Sequence, residues 1–190
     1  MRTNFKSKSA APLFLAASLT GCGNVPIEEN ALAAPAFDPA RYFSGLIKAW
    51  GTVHNWQGKL TRHFVADIDA SIANNVITLD ESFIFSDGER QTRVWQLSRN
   101  ADGHYVGEAN DIAGQAQGET NGNAMRWSYE MDLTVSGKVY RVRFDDWLWQ
   151  IDEQTLINRA KIIKFGVKVG EVVLFMRKQS SDERVANRSE

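Results

Sequence analysis

Cysteine is nearly absent from this chain: one residue, Cys22, in 190. That excludes an internal disulfide framework and a cysteine-rich zinc site. Histidine is almost as scarce. His54, His63 and His104 are scattered and form neither a His-x-His nor a His-x-x-x-His pair, so no metal is expected. Neither a Gly-x-Ser-x-Gly elbow nor a phosphate-binding glycine loop occurs, and no cofactor is expected. No apolar run approaches the ~20 residues of a membrane-spanning helix. Net charge is −1, from 22 basic and 23 acidic residues without a long basic stretch, so nucleic acid is not an expected partner.

What is present begins at the N-terminus. Arg2, Lys6 and Lys8 precede a short apolar run, Ala10 to Leu19, and then Leu19-Thr20-Gly21-Cys22. A basic flank, a short apolar core and small residues before a cut site describe an export signal. The Leu-Thr-Gly-Cys ending resembles a bacterial lipobox, so residues 1–21 are expected to be a signal peptide and Cys22 the lipidation site. An unpaired thiol in an exported protein would otherwise be an oxidation liability. Several acyl chains contribute about 0.8 kcal/mol per buried CH2, enough for stable attachment to a membrane. Gly23, rather than Asp, matches the sorting pattern of enteric outer-membrane lipoproteins, which places the expected protein on the outer membrane facing the periplasm. Removing the signal takes three basic residues, leaving 19 basic against 23 acidic.

Residues 22–36 are polar and aperiodic, as expected of an acylated cysteine followed by a tether. The folded body is expected over 37–178, with a disordered tail at 179–190. Asp38-Pro39 reads as an N-cap with proline at the first helical position, and Tyr42, Phe43, Leu46, Ile47 and Trp50 recur at helical spacing. The periodicity predicts one helix over Pro39–Trp50, stopped by Gly51. Beyond it the period becomes two. Leu60 to Ile68, Ile77 to Phe85, Arg93 to Leu97, Met125 to Val135 and Tyr140 to Leu148 all alternate, and Leu156 to Lys164 and Val167 to Arg177 follow. Short Asp-Gly and Ser-Gly turns join them, so the expected fold is mainly β: an antiparallel up-and-down barrel of about 8–9 strands behind one short helix. Gly107, Gly114, Gly118 and Gly122 read as bends in curved strands.

Several segments together resemble the DUF3833 family of bacterial lipoproteins. They are FDPARYFSG (Phe37 to Gly45), AWG (Ala49 to Gly51), LDESFIFSDGE (Leu79 to Glu89), GNAMRWSYEMDL (Gly122 to Leu133), FDDW (Phe144 to Trp147), INRA (Ile157 to Ala160) and KFG (Lys164 to Gly166). The resemblance implies a lipocalin-like barrel and leans toward lipid; it implies no established activity. The Ser71 to Asn75 turn departs from the family in lacking a glycine, a place that asparagine can fill at positive φ.

Alternation puts charge on apolar faces. Arg62 shares parity with Leu60 and Phe64, Glu81 with Leu79 and Phe83, Arg93 with Trp95, and Asp146 with Phe144 and Leu148. Buried charges without partners cost several kcal/mol each, so these four are expected to pair with one another or to meet a ligand. They are the candidate polar end of a ligand site lined by Phe64, Phe83, Trp95, Trp127, Tyr129 and Phe144. The expected ligand is a fatty acyl chain or another lipid. Two other functions fit the same residues: an enzyme acting on a lipid or other envelope substrate through Glu81 and Asp146, and a filled barrel serving as an interaction scaffold. Asp145 lies on the opposite face from Asp146, which excludes a catalytic dyad of the two neighbours. Asp87 and Asp111 read as turn residues.

Overall fold

The computed structural model describes residues 26–135 and 137–180. The expected signal peptide, Cys22 and most of the expected tail lie outside these residues.

Ten strands form one antiparallel meander: β1 (Gly45–Asn55), β2 (Leu60–Ala73), β3 (Val76–Phe85), β4 (Arg90–Arg99), β5 (Tyr105–Ala109), β6 (Ile112–Asn121), β7 (Ala124–Val135), β8 (Lys138–Gln150), β9 (Thr155–Lys164) and β10 (Val167–Lys178). Each strand pairs with its sequence neighbours, and β1 also pairs with β10. Ile47 faces Ile68 on one side and Lys178 on the other, so the sheet closes and keeps no free edge. The barrel therefore has ten strands rather than the expected eight or nine. The addition is β1, taken from the expected helix; β5 and β6 occupy the glycine-bearing segment expected to form curved strands.

The expected helix over Pro39–Trp50 is corrected to a single turn, α1 (Pro39–Tyr42). Asp38 caps it as its position suggests, its carboxylate accepting from Ala40 N at 3.0 Å. Gly45, at φ 79°, then bends the chain into β1. Ile47, Ala49 and Gly51 point inward as a period-two series. Gly51 does not stop a helix: it sits within β1 where the Phe64 ring packs against the backbone.

The start of the body stoppers one end of the barrel. Phe37 N donates to Gly122 O at 2.7 Å, and Tyr42 Oη donates to Met176 O at 3.2 Å. Phe37, Tyr42 and Phe43 meet edge to face, at centroid distances of 5.2–6.1 Å, and join the core cluster. The described part of the expected tether is docked rather than free. Ile27, in the 3-10 turn Ile27–Asn30, is buried against Ala124, Trp147 and Trp149 on the outer wall. Gly122, at φ 52°, lets the Asn30 carbonyl approach so closely that a Cβ there would overlap it. The opposite end carries the turns β1–β2, β3–β4, β5–β6, β7–β8 and β9–β10 and, among the described residues, has no such plug. At the stoppered end, Asn74 and Asn75 adopt φ values of 51° and 63°, the two-residue hairpin geometry usually given to glycine.

Inside, Gly107 and Gly118 face Trp127. A Cβ at Gly107 would lie 2.7 Å from the indole, and one at Gly118 would overlap it. These glycines make room for a ring. Gly118→Ala should therefore overpack the core and cost about 1–3 kcal/mol. At roughly 2–4 °C per kcal/mol for a chain of this size, a fall in the calorimetric midpoint of a few degrees is expected, and an unchanged midpoint would contradict the packing described.

Candidate functional site

β3, β4, β7 and β8 bring an ionisable cluster into the barrel because each carries one charged or phenolic residue on its inward parity. Glu81 and Arg93 are direct cross-strand neighbours. Asp146 lies opposite Trp127, and Tyr129 lies opposite Phe144, one pleat further along. Arg93 does not pair with either inward carboxylate. Its Nε donates to Asp111 at 3.0 and 2.9 Å, its guanidinium reaches the same carboxylate at 2.7 Å, and it lies 5.8 Å from the Phe83 centroid. Asp111 was expected to be only a turn residue; the bend between β5 and β6 turns it back over the mouth.

Aromatic rings surround this cluster. Tyr129 stacks on Phe144 at 5.1 Å with an interplanar angle of 2°, while Trp95 meets Tyr129 and Trp127 edge on at 5.1 and 5.7 Å. Nearer the open end, Phe64, Phe83 and Phe85 form a second group at 5.2–6.3 Å. All six aromatics expected on the inner face are there. Ala49 and Leu156 are 0% exposed near the stopper, whereas Phe144 keeps 7%, Tyr129 and Asp146 8%, and Glu81 9%. Two surface clefts, of about 260 and 560 Å3, lie beside Gln179 at the stoppered end and outside the wall.

Residues 16–178 match the family described as "Protein of unknown function (DUF3833)". The chain belongs to this family. No curated protein sequence matches it. Among solved structures it is similar to the S-type phycobiliprotein lyase CPES from Guillardia theta, at 12% identity and a TM-score of 0.50, covering 73% of this chain and 89% of that one. It is also similar to the odorant binding protein OBP1, at 12% identity and a TM-score of 0.34, covering 82% of this chain and 85% of that one. At 12% identity the likeness to the lyase concerns the fold alone.

In this DUF3833 barrel the four charged residues expected at one polar end fall into two places. Glu81, Arg93 and Asp146 share the interior cluster. Arg62 sits at the rim, where it donates to Asp87 and Glu89 at 2.8 Å each and stacks on Phe85 at 3.9 Å. Asp87 thus serves its own turn, accepting from Glu89 N, and Arg62 as well.

Asp145 and Asp146 separate as alternation requires. Asp145 points outward yet is buried, covered by Arg126, whose Nε donates to it at 2.8 Å beside Trp147. Asp146 points inward, and its Oδ1 is buried without a hydrogen-bond partner. Neither Arg62 nor Arg93 ion-pairs with it; Arg93 acts on it only through space.

Burial pushes Asp146 up to about 8, with Arg93 pulling down and Asp145 pushing up. Burial likewise pushes Glu81 up to about 7, again opposed by Arg93. The Tyr129 phenol is held well above its ordinary value by burial and then by Asp146. A carboxyl whose native pKa exceeds its unfolded value of about 4 binds its proton more tightly when folded. The resulting stabilisation is complete below that unfolded value and is lost as pH rises through about 7 to 8. Asp146→Asn fixes the neutral state. In urea unfolding at pH 5, 7 and 9 the variant should lose less stability with rising pH than the native protein, by a few kcal/mol between the extremes. Equal losses would show that Asp146 is ionised throughout.

Proposed function

We propose that the barrel binds one amphipathic molecule, an acyl chain or other lipid carrying a hydrogen-bond donor, through its unplugged end. The observation that carries this is the buried Asp146 Oδ1 without a partner, set among the aromatic rings of the barrel interior. An orphaned buried acceptor costs about 1–3 kcal/mol, and a donor on a ligand would remove that cost. The aromatic faces of Phe64, Phe83, Trp95, Trp127, Tyr129 and Phe144 supply the apolar contact, as lipid and small-molecule sites usually require. Entry requires the Phe64–Phe83–Phe85 group at the mouth to part. Arg62 and Arg93, both held by carboxylates, then frame the entrance rather than grip a head group.

The second function is a filled interaction barrel, which the closed Arg93–Asp111 and Arg62–Asp87–Glu89 pairs favour. Native mass spectrometry of protein purified from its host membrane separates the two. A single non-covalent adduct beyond any covalent anchor, lost or exchanged in Asp146→Leu, is expected. A population that is empty in every preparation would leave the filled barrel standing.

The same proposal includes attachment to a membrane through acyl chains on Cys22, on the outer membrane facing the periplasm. Its support is the Leu19-Thr20-Gly21-Cys22 pattern and Gly23. Cells fed a clickable palmitate analogue should label the native chain but not Cys22→Ser. Equal labelling, or none in either, would remove the anchor.

A further inference from the structure

The rim of the unplugged end is two-sided. Going round the barrel, the turns β7–β8, β9–β10 and β1–β2 are contiguous, because β8 pairs with β9 and β10 pairs with β1. Their exposed apolar residues are Val135 and Val139, Phe165 and Val167, and Trp56 and Leu60. Residues 135–140, 164–169 and 55–60 contain no acidic residue, and they contain Lys138, Lys164, Lys168 and Lys59. The other two turns, β3–β4 and β5–β6, complete the circle with Asp87, Glu89 and Asp111.

Phe165 stands out within the apolar arc. It is 93% exposed and adopts φ 50°, the left-handed region that a two-residue hairpin turn ordinarily gives to asparagine or glycine. The position is unfavourable twice over, in backbone conformation and in solvent contact, and its side chain contributes nothing to the core. Retained strain with an exposed aromatic marks a place where the aromatic itself is used. Lys164 lies 3.9 Å from the Tyr140 centroid and 5.3 Å from that of Phe165, so cation and rings are presented together. Lys168 is shared with Glu171, whereas Lys59 and Lys138 have no carboxylate partner among the described residues.

We propose that this arc is a membrane-docking surface: Trp56, Phe165 and Val167 enter the interfacial layer of an anionic bilayer while the lysines meet its head groups. Aromatic side chains favour that layer, and each basic residue near an anionic surface adds about 1 kcal/mol. The charge decides the occupant. A basic arc on a chain of net charge −1 complements an anionic surface, whereas a second copy would set lysine against lysine. The surface belongs to the mouth, so a docked barrel would open onto lipid, although docking stands independently of what the interior carries.

The test uses the full chain with Cys22→Ser, carrying an environment-sensitive fluorophore at Phe165→Cys or, as the control, at Glu89→Cys on the acidic half of the rim. With vesicles of phosphatidylethanolamine and phosphatidylglycerol, brominated acyl chains should quench the label at 165 and leave that at 89 unquenched. Phosphatidylcholine vesicles should give little quenching at either. Trp56→Ser with Phe165→Asn should weaken partitioning by about tenfold or more, since two large apolar side chains are lost from the layer. Asparagine suits the backbone at 165, so an unchanged melting curve separates lost docking from lost fold. Equal quenching at both labels, which contact through the N-terminal segment alone could give, would overturn the proposal. So would unaltered partitioning of the double variant. A dimer in vesicle-free sedimentation that Phe165→Asn dissolves would reassign the arc to contact between copies.

Discussion

Pairing of β1 with β10 is the constraint on which the rest of this molecule depends. Once first and last strands are joined, every inward-parity side chain must share one enclosed space, whatever its chemistry. Closure therefore forces Glu81, Arg93, Tyr129 and Asp146 together even though 65 residues of sequence separate the first from the last. It also turns local glycine choices into core geometry, because Trp127 can lie along the inner wall only where Gly118 and Gly107, on the next two strands, leave the backbone bare. A sheet left open could have rotated the charged faces to water; a closed one cannot.

Two adjacent aspartates show how the same residue type acquires different chemistry from one step of pleat. Asp145 is buried on the outer wall but fully answered by Arg126. Asp146, one residue on, faces an aromatic interior where the Arg93 guanidinium is already committed to Asp111. Burial pushes the second up to about 8, and a neutral carboxyl in an apolar space both donates and accepts hydrogen bonds.

Much of the wall was legible in the sequence. Met125, Trp127, Tyr129 and Met131 alternate with polar residues along β7, and the Asp-Gly and Ser-Gly turns punctuate the hairpins. β1 was not legible, because Tyr42, Phe43, Leu46, Ile47 and Trp50 satisfy a helical period as well as parts of a strand, and only the partners on β2 and β10 decide between them. β5 and β6 were legible only as curved strands with glycine bends; that Gly107 and Gly118 face an indole from another strand was not. Inward parity located Glu81, Arg93 and Asp146 from alternation alone. Which partner each would find was a different matter. Asp111 sits in a turn, where no period reports direction, so its claim on Arg93 exists only in three dimensions.

The docking of Ile27 beside the stopper has a geometric consequence for the chain that precedes it. Four residues and five Cα–Cα steps separate Cys22 from Ile27, a reach of at most about 18 Å when fully extended. β8, with thirteen residues, runs about 43 Å along its own axis, and strand tilt in a barrel reduces that to roughly 30 Å of height. A tether at Cys22 would hold the stoppered end near its point of attachment and leave the mouth a barrel's height away. Upright on such a leash, the protein would face away from the bilayer that holds it, placing its two ends to span a gap; only by lying on its side could it return the mouth to the same leaflet.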